Sequence, residues 1–487
     1  MTLPAAPDLR APGAVLLVSC YDLGRRPVAV ASACDALLRA GFQPALRDLS
    51  VEKLDEQELS FARVVLISVP MHTALRLGVR VAERARAASP GVHVAMFGLY
   101  AALNRPHLLG RHCDAIVGAE SDAPLVALST ALAAESAQRP DAPLAALPQA
   151  LVEGASTHAH PAAQAWKKGP RKTLQPAPGA GPALPQLGRY ALLEIAGEQR
   201  LVATVEASRG CKHLCRHCPV VPVYQGRFVA VPLPEVMEQL GPQIDAGARH
   251  VTFADPDFLN GPTHALRLAA ALHQRWPEVT FDATVKIEHL LGHRALLPAL
   301  AQAGCLFVTS AVESLSDRVL AALAKGHTRA DVALALAAAR GAGIDVRPTL
   351  LPFTPWTALA DLPALFAFAV EHGLVEQIDP VQYTLRLLLP PGSPLLLEEG
   401  RAPSWLGAFD SERFTYGWRH ADPRVDGLQR ALAAVAEQHA EAGRPPRETF
   451  EALRALAHEA AGLPAPAPLS MLAEQRSAPR LSEPWFC

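Results

Sequence analysis

Cys211, Cys215 and Cys218 bring three of the chain's eight cysteines within eight residues, in "EASRGCKHLCRHCPV", while the other five stand singly. Thiolates at Cys-x-x-x-Cys-x-x-Cys spacing are soft ligands that select zinc or an iron-sulfur centre. A closed structural zinc site takes four ligands, normally as two separated pairs, and a cubane held by protein alone takes four cysteines. Three cysteines leave one iron of a [4Fe-4S] cubane open, and an open position is where a substrate or cosubstrate binds. The competing account is a zinc knuckle completed by His213 or His217, both of which lie in the same loop between Gly210 and Pro219.

A series of strand and helix patterns surrounds this loop. From about residue 196, "RLVATVEAS", "HVTFAD", "VTFDATVKI", "LFVTSAVE", "IDVRPTLLPF" and "VQYTLRLLL" are six strand candidates separated by five helical patterns, and the loop directly follows the first. Such alternation predicts an α/β barrel, partial or complete, over residues 196–400, with its chemistry at the C-terminal ends of the strands. Residues 13–138 alternate apolar runs such as "AVLLVSC" and "ARVVLISV" with helical patterns, which predicts a doubly wound parallel sheet buried on both faces. Residues 139–195 are rich in Pro, Ala and Gly and read as a linker. Residues 401–465 read as a helical extension, and 466–487 as a flexible tail.

Composition sets the outer bounds. A chain of 487 residues, half of them apolar, is long enough for two or three domains with their own cores. The formal net charge of -2 provides no basic field for a phosphate backbone, so nucleic acid is not expected as a partner. No run approaches the roughly 18 apolar residues of a membrane span. The first residues lack a secretory pattern, and sparse cysteines fit a reducing compartment, so the expected location is the cytoplasm.

The cysteine loop after the first barrel strand resembles the signature of the radical S-adenosylmethionine (radical SAM) superfamily. That resemblance implies a [4Fe-4S] cluster on Cys211, Cys215 and Cys218, with S-adenosylmethionine on the open iron and reductive cleavage to a 5'-deoxyadenosyl radical. It also implies a reductant such as flavodoxin or ferredoxin. The fold implied is a radical SAM (β/α)6-type partial barrel behind the Rossmann-like domain. "HVTFADPDFLNG" stands where the family places a segment against the amino group of S-adenosylmethionine, with Asp255 and Asp257 in it. "TSAVESLSDRVLAALAKGHT" resembles the ribose-contacting segment, with Glu313 and Ser314 as the contacting pair. An Asx turn at Asp255–Asp257 and a helix N-terminal carboxylate at Glu313 are the plain alternatives. Lys286 or Arg347 is a candidate for the cosubstrate carboxylate, the alternative being a salt bridge with Glu288 or Asp345; Lys286, Glu288 and His289 follow the third strand together. Tyr224 and Arg227 are placed to cover the cluster, and "FTYGWRHADPR" is a polar-aromatic patch for substrate or for an interdomain contact.

The sheet domain resembles the cobalamin-binding domain of one large group of these enzymes, through "FGLYAALNRPHLLGRHCDAIVGAESDAPL". Two departures stand against cobalamin. Gly24 occupies the place of the cobalt-ligating histidine in "CYDLGRRP", and Leu99 replaces the second glycine of a Gly-Gly pair. His72, His93, His107 and His112 read as surface or core histidines. The strings "VKIEHLL", "TSAVES", "FTPWT" and "SEPWFC" look like the CUAEP/CCAEP-tail radical SAM proteins, some of which carry selenocysteine. That resemblance implies a redox role for Cys487 beside a selenocysteine whose codon ordinary translation reads as stop. The expected function is radical chemistry on an unidentified small-molecule or peptide substrate. The alternatives are a cobalamin-dependent radical SAM methyltransferase and a non-catalytic zinc-stabilised binding protein.

Overall fold

The computed structural model describes residues 8–138, 144, 184–469 and 478–483. Strands β1 (Val15–Ser19), β2 (Ala45–Asp48), β3 (Val64–Ser68), β4 (His93–Phe97) and β5 (Ala115–Val117) form a parallel sheet in the order β2-β1-β3-β4-β5. Every residue of β1, β3 and β4 is buried, as continuous apolar runs require when helices cover both faces. Helices Val28–Arg39 and Asp122–Gln138 bury Leu37, Leu125 and Leu132 against Val15 and Leu17 on one face. Helix His72–Ala88 buries Leu75 and Val79 against Leu16 and Val18 on the other. The strand order reverses between β1 and β3, so the crevice beyond their C-terminal ends is where this topology binds ligands.

From Leu184 the chain makes a hairpin of β6 (Leu193–Ile195) and β7 (Glu198–Arg200) and enters β8 (Val202–Val205). Two short antiparallel strands, β9 (Ser208–Gly210) and β10 (Phe228–Ala230), bracket the cysteine loop. The second parallel sheet has the order β8-β11-β12-β13-β14, with β11 (His250–Phe253), β12 (Thr280–Thr284), β13 (Cys305–Glu313) and β14 (Asp345–Leu350). It is an open half-barrel whose core runs from Val205 and Phe253 to Tyr383 and Phe450. The expected sixth strand is not formed: Pro380–Thr384 is a 3-10 turn, followed by a single parallel bridge between Phe353 and Arg386. Gln382 explains this, because its side-chain carbonyl accepts the Leu350 N–H at 2.9 Å and satisfies a donor that a sixth strand would have taken.

The C-terminal extension is not purely helical. A hairpin of β15 (Leu406–Asp410) and β16 (Thr415–Trp418) precedes helices Pro423–Glu441 and Pro446–Ala460. The hairpin packs on the N-terminal sheet domain: Phe414 joins its core, and Phe409 stacks on His107 with ring centroids 3.8 Å apart. Within the stretch read as tail, β17 (Arg480–Leu481) pairs with β6. Among the described residues no helix is long and apolar enough to cross a membrane.

Candidate active site

The cysteine loop leaves β9 through Gly210, whose φ of +76° lies in the left-handed region and whose added Cβ would stand 2.5 Å from the Arg227 carbonyl. Only glycine fits such a turn. Asn260, at the end of the turn beyond β11, holds the loop's first half: its Nδ2 donates to the Gly210 carbonyl at 3.3 Å and its Oδ1 accepts the Lys212 N–H at 3.1 Å. The second half hangs on the segment after β13, where Arg216 N–H donates to the Leu323 carbonyl at 2.9 Å. Cys211, Cys215 and Cys218 are all free thiols. Burial pushes the Cys218 thiol up to about 12, with the neighbouring thiols of Cys215 and Cys211 adding to the rise. Burial likewise raises Cys211. Three free thiols in one loop, with burial disfavouring the thiolate at Cys211 and Cys218, are a donor set that fits an iron-sulfur cluster, whose cationic irons offset the thiolate charge.

Neither loop histidine turns to the thiols with the nitrogen it uses. His213 lies with Nε2 3.1 Å from His289 Nε2 and Nδ1 3.1 Å from Lys286 Nζ. His217 Nε2 lies 3.2 Å from Glu313 Oε1. His217 Nδ1 is buried without a hydrogen-bond partner, and the loop's sulfur donors number three, the count of an open cubane.

Glu313 ends β13 at φ +65°, a left-handed backbone that a non-glycine residue adopts only under constraint. Its Oε1 also accepts from Lys325 Nζ at 3.2 Å, and Lys325 is only 3% exposed. Burial opposes ionisation of Glu313, but the Lys325 ammonium and His217 outweigh it and hold the carboxyl at about 2. Burial likewise opposes the Lys325 charge, while Glu313, Cys215 and Cys218 raise its pKa. The cation therefore faces both the carboxylate and two cysteine positions. Lys325 belongs to the Lys-Gly pair of the "AKGHT" segment, three residues past the helix Asp317–Ala322, and the sequence alone does not mark it as a site residue.

The other sequence candidates separate. Asp255 is buried, accepting from Ala207 N at 2.7 Å and Ser208 Oγ at 2.5 Å; burial pushes it up to about 7 against these bonds. Asp257 is buried and caps Leu259 N at 3.1 Å. Lys286 Nζ pairs with Glu288 at 2.9 Å. Arg347 pairs with Asp379 at 3.3 Å, not with Asp345, and its Nη1 is buried with no hydrogen-bond partner. Ser314 Oγ accepts the Ser316 N–H at 3.1 Å. Tyr224 Oη donates to Glu120 at 2.9 Å, and Arg209 bridges Glu120 and Glu206 at 3.3 and 2.7 Å, which ties the turn after β5 to the strand before the loop. Arg209, Glu120 and Asn260 were missed because nothing local in the sequence joins them. Cys487 lies outside the described residues.

At the ends of β1 and β4 the geometry bears on cobalamin. Gly98 has φ +108°, and a Cβ there would stand 3.0 Å from the Val69 carbonyl, so glycine is required by the close packing of its backbone on that of Val69. At Gly24, however, a Cβ would meet the Glu483 side chain at 2.5 Å. The position of an axial imidazole is thus glycine, and the space above it holds a residue of the C-terminal segment. His72, His93, His107 and His112 are engaged in packing or backbone contacts, with His72 at Arg413 and His112 edge-on to Phe414. These residues do not fit an imidazole ligand to cobalt.

A three-thiol loop at the C-terminal edge of a parallel half-barrel, with a buried cation and carboxylate beside it, defines an iron-sulfur radical domain. Residues 205–362 match the radical SAM superfamily model, and the chain carries a radical SAM domain. Over 135 residues it is 32% identical to the tRNA-2-methylthio-N(6)-dimethylallyladenosine synthase of Pseudomonas paraeruginosa, which is 26% of this chain and 30% of that protein. The Pseudomonas aeruginosa enzyme matches to the same extent. The matched stretch thus spans under a third of these curated relatives. Among solved structures, the radical SAM methyltransferase TsrM of Kitasatospora setae with cobalamin and [4Fe-4S] cluster bound has TM-score 0.63 at 13% identity, covering 92% of this chain and 99% of that one. The cobalamin-dependent radical enzyme OxsB has TM-score 0.59 at 13% identity, covering 91% and 73%. At such identity the likeness is of fold alone, and it extends over more than nine-tenths of this chain.

Proposed function

We propose that the protein cleaves S-adenosylmethionine reductively on a [4Fe-4S] cluster held by Cys211, Cys215 and Cys218, and begins radical chemistry on a small-molecule or peptide substrate. The observation that carries this is the loop of three free thiols after the first strand of the parallel half-barrel, inside the stretch that matches the radical SAM model. When bound, the cluster supplies one electron to the sulfonium, giving methionine and a 5'-deoxyadenosyl radical. Glu313, ionised throughout the physiological range, accepts hydrogen bonds from the ribose hydroxyls, and Ser314 lies beside it. The backbone at Asp255–Asp257 faces the amino group. Arg347, with an unpartnered buried Nη1, is a better carboxylate holder than Lys286, whose charge Glu288 already meets. A flavodoxin- or ferredoxin-type reductant in the cytoplasm supplies the electron.

The finer kinship proposed is with the CUAEP/CCAEP-tail proteins, supported by the local strings that the radical SAM domain and its flanks share with them. Cobalamin chemistry is the second reading, favoured by the cobalamin bound in the fold neighbours TsrM and OxsB and opposed by Gly24 and Glu483. Anaerobic reconstitution with iron and sulfide tests the main reading. Dithionite and S-adenosylmethionine should yield 5'-deoxyadenosine by chromatography, and Cys215→Ala should abolish it. A colourless protein with stoichiometric zinc, or undiminished cleavage by Cys215→Ala, rejects it.

A further inference from the structure

Three side chains outside the thiolate set converge beside the cysteine loop. His213 comes from the loop itself, Asp257 from the turn after β11, and His289 from the helix Ile287–Gly292 after β12. Their donor atoms all lie within 4.8 Å of one another. Asp257 Oδ2 stands 2.8 Å from His289 Nδ1 and 3.8 Å from His213 Nε2. The side chain of Asp257 is 3% exposed, and neither Asp257 Oδ2 nor His289 Nδ1, both buried, makes an aligned hydrogen bond.

A buried carboxylate oxygen costs free energy unless something positive meets it. The ammonium in this cluster, Lys286 Nζ, is directed to Glu288 and to His213 Nδ1, on the far side of the imidazole from Nε2. First-row divalent cations bind imidazole and carboxylate at about 2.0–2.2 Å, so donors in one coordination sphere stand on the order of 3 to 3.5 Å apart. The observed separations bracket that range.

We propose that His213, Asp257 and His289 form a mononuclear site for a divalent transition cation of the zinc or ferrous class. Two imidazoles and one carboxylate suit those ions and leave coordination positions open. Binding through His213 Nε2 puts the proton on Nδ1, facing Glu288 Oε2 at 3.5 Å, the carboxylate–histidine–metal arrangement that fixes a ligand's tautomer. Lys286 then keeps Glu288 and gives up His213. The cation would pin the span between Cys211 and Cys215 to the ends of β11 and β12. The imidazoles are 14% and 13% exposed, so solvent or a substrate oxygen reaches the open positions. The site does not depend on the radical reading, since none of its ligands is a cysteine.

Cobalt(II) titration of the full chain carrying Cys211→Ala, Cys215→Ala and Cys218→Ala removes thiolate competition. One equivalent should bind with weak visible bands and no sulfur charge-transfer absorption, and adding His289→Ala or Asp257→Asn should weaken it at least about tenfold. In the reconstituted chain with its cysteines intact, metal analysis should find one zinc or iron beyond the four of the cluster, lost in His289→Ala while the absorbance near 400 nm stays. No stoichiometric cobalt together with no fifth metal overturns the site, as does binding indifferent to both substitutions. Either result would leave a hydrogen-bonded relay from Lys286 through the two imidazoles to Asp257.

Discussion

Removing the charge of Glu313 exposes what its neighbours cost. Its carboxyl is held at about 2, well below the ordinary carboxylate range, because the Lys325 ammonium and His217 outweigh the burial that opposes its charge, so the ionised form is strongly preferred at neutral pH. Glu313→Gln takes that away and leaves the Lys325 ammonium, 3% exposed, without its carboxylate; stranding one partner of a buried pair costs about 3–5 kcal/mol. Lys325→Met leaves Glu313 only the His217 imidazole at 3.2 Å as partner. The double variant buries no unpaired charge and should recover most of the loss. Hydrogen exchange of the β13 amides reads local opening free energy even in a multidomain chain. The two single variants should each lose about 3 kcal/mol or more, and the double clearly less than their sum. The acid side follows the same carboxylate. Because its folded pKa is depressed, its stabilisation is complete above about 4.5 and disappears as pH falls toward 2, so Glu313→Gln should lack that component of acid unfolding. Strictly additive losses in the double variant, or an acid profile unchanged by Glu313→Gln, would refute the pairing argument.

Two further outcomes follow from buried groups. Asp255 has its pKa raised to about 7, so its cost to the fold grows as pH rises from the ordinary carboxylate range to 7; Asp255→Asn should raise the melting temperature by about 5 °C at pH 8 and by less at pH 5, in thermal melts followed by circular dichroism. Gly98→Ala forces a side chain onto φ +108° and to 3.0 Å from the Val69 carbonyl; the N-terminal domain should lose about 2–3 kcal/mol, read from its urea midpoint, while iron loading of the cysteine loop is unchanged.

What the sequence made legible was whatever a local pattern decides. β1, β3 and β4 show as apolar runs because both faces of each are covered, and the three cysteines show because their spacing is itself the ligand geometry. The sixth barrel strand misled because "VQYTLRLLL" has strand composition, yet the Gln382 side chain takes over the bond its backbone would have made. The β15–β16 hairpin was hidden in a polar-aromatic patch. There Trp418 donates to the Leu387 carbonyl at 2.8 Å, and Arg386 lies over its ring, so aromatic residues that suggested a ligand surface pack internally. His213 and His289 were each noticed for other reasons, but they are 76 residues apart and no periodicity links them. Only the return of β8 and β12 to one parallel sheet, whose C-terminal edge carries the cysteine loop and the helix Ile287–Gly292, brings them together.

The same long-range logic applies where the C-terminal segment meets the end of β1. Gly24 has φ +67°, and its hydrogen occupies the place from which a Cβ would reach Glu483 Cγ at 2.5 Å and Cβ at 2.6 Å. Glu483 also accepts from Tyr21 Oη at 3.3 Å, and two residues earlier Leu481 pairs with Leu193 of β6. Gly24 is thus the contact that lets residues 478–483 lie over the crevice where the first sheet's strand order reverses. Gly24→Ala adds a methyl group that must push Glu483 away and adds left-handed strain of about 1–2 kcal/mol. Against this stand the two-residue ladder, the Ser482 N–H donating to the Leu192 carbonyl at 2.8 Å, the Leu192 N–H donating to Ser482 Oγ at 2.9 Å, and the Arg480–Glu194 pair at 2.7 Å. Amides of residues 480–482 should exchange at least about tenfold faster in Gly24→Ala than in the parent, with β8 and β11 unaffected. Glu483→Ala in the same background should not accelerate them further, since both changes act on one contact. Unchanged protection in Gly24→Ala would mean that the segment is held by β6 alone, and that the crevice is covered independently of the glycine that replaces a cobalt ligand.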